Sequence, residues 1–207
     1  MQGTASTVRE AFCRGCGTCV NVCDYGAPSL FARDHGIPTA RIDPTLCKGC
    51  GVCASVCPSG AIEAGVFTDA WMENQLESEF VSDKVVVFSC HWNAAMTRDR
   101  MGSVLRCDGS NLRCIQVLCS GRIHTSFVLK AFENGAAEVV FLRCPPEQCH
   151  YGFGSRVAEE NFSRAQALIR LLGIAPERLR ESCPKISEVT KSWVNNDPSV
   201  EKNRIQG

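Results

Sequence analysis

No apolar run in the sequence approaches the roughly 18–20 residues that cross a bilayer, so no membrane span is expected. An excess of charge of one sign is missing too, because 22 Lys and Arg balance 22 Asp and Glu. With no global field to gather phosphates or anionic headgroups, nucleic acid is not an expected partner. The opening stretch MQGTASTVREAFCRGC has neither a charged start followed by an apolar run nor a twin-arginine pair. The expectation is therefore no export signal and a cytoplasmic location. Also absent are a nucleophile motif, a phosphate-binding glycine loop and a dinucleotide fingerprint, since GFGS at 152–155 is too short and lacks a third glycine. This reading names no catalytic residue and finds no independent substrate site.

What is abundant is cysteine. Fifteen of 207 residues are cysteines, an odd number in a chain far larger than the small secreted domains that disulfides staple. Metal binding is the leading explanation. Hydrophobic and charged contents of 44% and 21% are ordinary for globular chains, and the length suits two domains. The texture divides the same way. Residues 1–66 are glycine-punctuated and cysteine-dense, with no periodic run long enough for a substantial helix. Residues 67–84 carry Asp69, Glu73, Glu77, Glu79 and Asp83 against Lys84, which reads as an acidic linker or a short surface helix. From 85 to 207 apolar runs alternate with amphipathic segments.

In the first part, Cys13, Cys16, Cys19 and Cys23 have the spacing C-x2-C-x2-C-x3-C, and Cys47, Cys50, Cys53 and Cys57 repeat it before Pro58. This duplication closely resembles the bacterial ferredoxins that carry two 4Fe-4S clusters. Three thiolates on one tight loop reach three irons of a cube, while the fourth points to the other cube. That cross-over assigns cluster one to Cys13, Cys16, Cys19 and Cys57, and cluster two to Cys47, Cys50, Cys53 and Cys23. Gly15, Gly17, Gly49 and Gly51 let the backbone wrap closely and turn N–H groups toward sulfur. Asp24 stands where the family pattern has a proline. A pair of structural zinc sites is the alternative, because tetrahedral thiolate sets also use C-x2-C pairs.

In the last part, VVVF (85–88), CIQVLC (114–119) and EVVFLRC (138–144) read as buried parallel strands. Between and after them, Val128, Ala131 and Phe132 form one helical stripe ending at Asn134-Gly135. Ala158, Phe162, Ala165, Ile169 and Leu172 form another ending at Gly173. The expected fold class is an α+β two-cluster ferredoxin domain followed by an α/β domain with a parallel sheet flanked by helices on both faces. Ligands of such sheets bind beyond the carboxyl ends of the strands, and Cys90, Cys119 and Cys144 end the three strands. Cys149 sits close enough to curl back. Four thiolates at one crevice are the ligand number of a 2Fe-2S centre.

The segments FSCHW (88–92), LCSGR (118–122) and RCPPEQCHYGFG (143–154) resemble the delta subunit family of methyl-viologen-reducing hydrogenase over about residues 84–190. The resemblance implies a 2Fe-2S cluster on Cys90, Cys119, Cys144 and Cys149. It also implies a role relaying electrons between a hydrogenase or formate dehydrogenase and the FAD-containing subunit of a heterodisulfide-reductase-A-like complex, with electron bifurcation there left open. The partners implied are other redox subunits in a hetero-oligomer. Family members often carry a further cysteine where this chain has Asn93. Arg122 could offset cluster charge or lie on the surface as an ordinary arginine. His91 and His150 could replace a thiolate or sit behind the ligands. Cys107, Cys114 and Cys183 read as buried small hydrophobes.

The rival functions are a free ferredoxin and a thiol-disulfide enzyme that uses Cys144 and Cys149 with electrons from the ferredoxin part. Residues 1–68 hold five acidic and five basic side chains, which argues against steering to many partners. The five-residue separation of Cys144 and Cys149 is wider than the C-x-x-C of thioredoxin-like catalysts.

Overall fold

Gly17 and Gly51 hold the same left-handed backbone, each with φ of 74°, and each is followed at once by a one-turn helix. A side chain there would be strained, so glycine is what lets each cysteine loop turn into a helix. The computed structural model describes residues 4–33, 36–92 and 111–182. The two helices are α1 (Thr18–Val22) and α2 (Val52–Ser55). They carry Cys19 and Cys53 inward. Around them β1 (Thr7–Val8) pairs antiparallel with β4 (Ile62–Glu63), and β2 (Pro28–Arg33) with β3 (Gly36–Ile42). No longer helix occurs here among the described residues, as the lack of periodicity predicts.

The acidic stretch 67–84, expected as a linker or surface helix, is built into a core. It folds as α3 (Asp69–Gln75) and α4 (Ser78–Val81). Thr68 caps α3 by accepting a hydrogen bond from the Trp71 N–H at 3.2 Å. Met72, Leu76 and Val81 are fully buried against the parallel sheet that follows. Glu73, Glu77, Glu79 and Asp83 face solvent while Asp69 and three well-spaced apolar side chains provide the anchorage, which a count of charges misses.

That sheet has four strands, all parallel, in the order β6 (Leu112–Val117), β5 (Val85–Cys90), β7 (Glu138–Leu142), β8 (Leu179–Ser182). The fold class is the one expected from the sequence. Helix α5 (Thr125–Glu133) joins β6 to β7, and α6 (Gly154–Leu171) joins β7 to β8. Right-handed crossovers that step the same way across a sheet place their helices on one face. Accordingly Phe127, Val128 and Ala131 of α5 and Phe162, Ala165 and Ile169 of α6 pack with Val86, Phe88, Val139 and Phe141. The sequence predicts helices on both faces. Among the described residues the second face holds Val87, Val140 and Leu142 in a smaller cluster without a helix. Leu172, expected in the buried stripe, is exposed at the α6 terminus.

The two halves meet where α2 abuts the turn Ser120–Arg122 and α6. The Ser55 hydroxyl donates to the Gly121 carbonyl at 2.6 Å, and Asn161 Nδ2 on α6 donates to the Ile123 carbonyl at 3.0 Å. Gly121 is tight because a Cβ there would stand 2.7 Å from the Gly154 carbonyl oxygen and 3.0 Å from Val52 Cγ2. Arg122 is not a surface residue: it is 1% exposed, donates to the Phe67 carbonyl at 3.1 Å and pairs with Asp69 at the start of α3. The seam therefore joins α2, α3 and the sheet domain through hydrogen bonds and an ion pair, with Arg122 Nε left as a buried nitrogen without a partner among the described residues.

If α3 belongs to the sheet domain, Leu76→Ala lowers its unfolding free energy by about 2–5 kcal/mol. Exposed Glu79→Ala changes it by less than about 0.5 kcal/mol. Denaturant melts followed by circular dichroism check this, and equal small effects would return 67–84 to the status of a spacer.

Candidate metal centres

Cysteine thiols gather at three places. At the first nest, Cys13, Cys16, Cys19 and Cys57 line one cavity with Arg14 and Leu30. Backbone N–H groups are aimed at sulfur: Ala40 donates to Cys13 Sγ at 3.4 Å and Ala61 to Cys57 Sγ at 3.3 Å. Cys16 is the one exposed thiol among the described free cysteines. Its hydrogen bond with the Thr18 hydroxyl draws its pKa down, whereas burial raises that of Cys19.

At the second nest, Cys23, Cys47, Cys50 and Cys53 line a cavity with Tyr25, Val52 and Phe153. The exchange of fourth cysteines that the repeat implies is thus present in the geometry. Cys23 follows α1 in an extended conformation, which carries its side chain away from the loop that holds Cys19. Asp24, in the place of a proline, is exposed and leaves Cys23 in the nest. Burial pushes the Cys50 thiol up to about 11 and that of Cys53 up to about 12. The two nests adjoin, because Cys19 and Cys53 belong to one buried cluster.

The third nest lies beyond the carboxyl ends of the parallel strands. Cys90 ends β5, Cys119 and Cys144 follow β6 and β7 within two residues, and all three are buried. The short turn Pro146–Gln148 returns the chain so that Cys149 joins them. The strand order reverses direction at this edge, which is where such sheets open a crevice. The thiols influence one another strongly. A hydrogen bond with Cys90, then burial, raises the Cys144 pKa, and burial followed by the charge of Cys90 raises that of Cys119.

Helix α6 begins against these sulfurs. The Ser155 N–H donates to Cys149 Sγ at 3.3 Å, and a Cβ on Gly154 would run into Cys119 Sγ. Ser155 also donates its hydroxyl to the Cys144 carbonyl at 2.6 Å and accepts from Arg143 at 3.1 Å, while Arg143 pairs with Glu181 at 2.9 Å. These bonds hold the first turn of an 18-residue helix in place. Its positive end therefore faces the thiols.

Sequence reasoning missed the wall between the second and third nests. Tyr25 and Tyr151 meet edge to face with ring centroids 6.5 Å apart, and Tyr25 meets Phe153 at 6.1 Å. Both tyrosines are pushed up in pKa, by burial first and then by thiols of both nests: Cys50 and Cys149 for Tyr25, Cys50 and Cys119 for Tyr151. The only signal was the run YGFG after Cys149-His150, whose aromatics carry no spacing rule. His91 and His150 are both exposed, and the His150 ring is stacked on Trp92 at 3.6 Å. Arg122 bonds to Phe67 and Asp69 and makes no bond to a sulfur among the described residues. Cys114 lies half-buried on the second sheet face and is disulfide-bonded, so it is not the free buried hydrophobe expected. Asn93, Cys107 and Cys183 lie outside the described residues.

All three nests suit a group held by several thiolates: four sulfurs, low polarity and backbone donors to sulfur. The raised thiol pKa values mean that loading must displace protons.

Known protein families match the chain in two separate segments. Residues 12–61 match the model of a 4Fe-4S dicluster domain, and residues 85–195 that of the methyl-viologen-reducing hydrogenase delta subunit. The chain is 36% identical over 172 residues to one subunit of the ferredoxin:CoB-CoM heterodisulfide reductase of Methanosarcina mazei, covering 81% of this chain and 21% of that protein. It is 32% identical over 124 residues to an iron-sulfur subunit of the F420-non-reducing hydrogenase vhc of Methanococcus voltae, covering 60% of this chain and 86% of that protein. The corresponding iron-sulfur subunit of the F420-non-reducing hydrogenase of Archaeoglobus profundus is 33% identical over 103 residues, 50% of this chain and 75% of its own length. The chain thus spans about a fifth of the reductase relative and most of the hydrogenase relatives. By the match over more than half its length, the chain belongs to the methyl-viologen-reducing hydrogenase delta subunit family, with a 4Fe-4S dicluster domain ahead of the family segment.

Proposed function

We propose that this chain is an electron-transfer subunit with three iron-sulfur centres. Cys13, Cys16, Cys19 and Cys57 hold one 4Fe-4S cluster; Cys47, Cys50, Cys53 and Cys23 hold the second. Cys90, Cys119, Cys144 and Cys149 hold a 2Fe-2S centre. The observation that carries the reading is the order of the nests, the first adjoining the second through Cys19 and Cys53, and the second separated from the third by Tyr25 and Tyr151. Bound there, iron-sulfur clusters supply one-electron carriers whose potentials follow cluster type, burial and hydrogen bonds to sulfur. The chain's own residues do the rest. Val52, Tyr151, Phe153 and Val157 pack beside Cys119 and exclude water at the seam. The Ser155 N–H and the start of α6 favour negative charge on the third nest.

Residues 1–66 form the dicluster unit in this proposal, and 67–84 belong with the parallel-sheet unit. The relatives' names suggest the neighbours, a hydrogenase on one side and a heterodisulfide reductase on the other; the family resemblance adds a formate dehydrogenase as an alternative donor and FAD in the heterodisulfide-reductase-A-like partner. Electron bifurcation would then be a property of that assembly rather than of this chain.

Anaerobically purified protein holds about ten irons, with 4Fe-4S and 2Fe-2S signals together in electron paramagnetic resonance of the reduced sample. Cys119→Ser removes about two irons and the 2Fe-2S signal while sparing the others. A wild-type chain with about eight irons and two reversibly alkylated cysteines would mark a thiol-disulfide enzyme instead. In a second test Gly154→Ala crowds Cys119 Sγ and weakens the same signal selectively; an unaltered spectrum would remove the start of α6 from the third site.

A further inference from the structure

Charges in the dicluster unit balance in number but not in place. Glu63 accepts from the Asp69 N–H at the start of α3, and Asp24 lies near Gly152 of the second domain. Asp43 turns its carboxylate to Thr45, beside the loop that leads to Cys47. These three acids lie toward the second nest and the seam. Among the described residues of the unit Lys48 is the one cation with them, over the Tyr25 ring at 5.7 Å, whereas the arginines lie at the opposite end. Arg14 lines the first nest; Arg9 sits over the Phe12 ring at 5.1 Å; Arg33 reaches Glu10 at 3.1 Å; Arg41 sits over Phe31 at 4.8 Å. All four are exposed, and Glu10 is the acid among them in the described residues.

The same end exposes large apolar side chains. Phe12 precedes Cys13, Leu30 reaches the Gly17 turn, and Ile37 lies against Gly15, so Phe12, Leu30 and Ile37 rim the loop that carries Cys16. A monomer has little reason to keep such a cluster in water beside its most accessible thiol. Beside the other two nests the exposed apolar groups are single, Leu46 next to Cys47 and Trp92 stacked on His150, and no thiol there is fully exposed among the described residues.

Resting on the electron-transfer reading, we propose that the face around Cys16 is the docking surface for a redox protein that surrounds its own centre with acidic side chains. The apolar middle excludes water at contact, and the arginine rim attracts and orients the partner, as charge complementarity does elsewhere. One electron passes per encounter. The partner's centre is oxidised by one electron as this chain is reduced by one, and neither a proton nor a group moves.

The test uses the full chain, anaerobic and oxidised, mixed in a stopped-flow instrument with a pre-reduced acidic two-cluster bacterial ferredoxin, and separately with reduced methyl viologen. For the wild type, the ferredoxin rate falls at least about tenfold from low to high salt. Arg14→Glu combined with Arg33→Glu slows that rate at least about tenfold at low salt and flattens its salt dependence, while reduction by the viologen cation is not slowed. Arg170→Glu, the same charge change on the exposed far end of α6, leaves the ferredoxin rate within about twofold. Should the Arg14 change disturb loading, Arg9→Glu combined with Arg41→Glu, outside the cysteine loops, carries the same expectation. An unchanged ferredoxin rate in a variant with full iron and normal spectra overturns the docking face and leaves the relay standing. A wild type without iron overturns both.

Discussion

How closely sulfur-bearing loops can approach one another governs this molecule. At the seam Gly121 and Gly154 have no room for a side chain, and the thiol of Cys119 lies against the opening turn of α6. Widening that contact by one methyl group would separate the third nest from its helix dipole and disturb the wall shared with the second nest. The hydrogen bonds from Ser55 and Asn161 keep the gap from opening. A relay needs fixed centres because electrons cross short distances well and long ones poorly, so the geometry of the seam is a functional requirement as much as a packing one.

The polar groups of the seam are paired rather than dispersed. Arg122 lies with its guanidinium over the Phe127 ring at 5.1 Å and its charge matched by Asp69, which ties the start of α3 to the turn after Cys119. Removing either partner would leave a buried charge without its mate, a loss typically larger than the net contribution of the pair. Arg143 plays a similar part at the other side of the third nest, linking β8 through Glu181 to the Ser155 turn. Both arginines support the cysteine positions of the third nest from outside.

Much of this is legible in the residues. Eight cysteines in a repeated spacing predict two crossed nests because cluster geometry acts over a few residues, and the structure places the fourth cysteine of each loop in the other nest. Three strands that each end on or beside a cysteine predict a third nest because parallel strands share one carboxyl edge. The acidic stretch misleads since Met72, Leu76 and Val81 are sparse among charges, and only the finished sheet offers them a surface. The tyrosine wall and the glycine seam are invisible in the sequence because small residues and lone aromatics acquire meaning from partners far away along the chain. Arg122 reads equally as a counter-charge to a cluster or as an ordinary surface cation until Phe67 and Asp69 are brought over it.

Anomalous diffraction at the iron edge, from crystals of the full chain grown without oxygen, tests the central claim most directly. The account predicts three iron sites, one inside each set of four cysteines, with the third between Cys90, Cys119, Cys144 and Cys149. Iron at the first two sites alone, or zinc in their place, would contradict it.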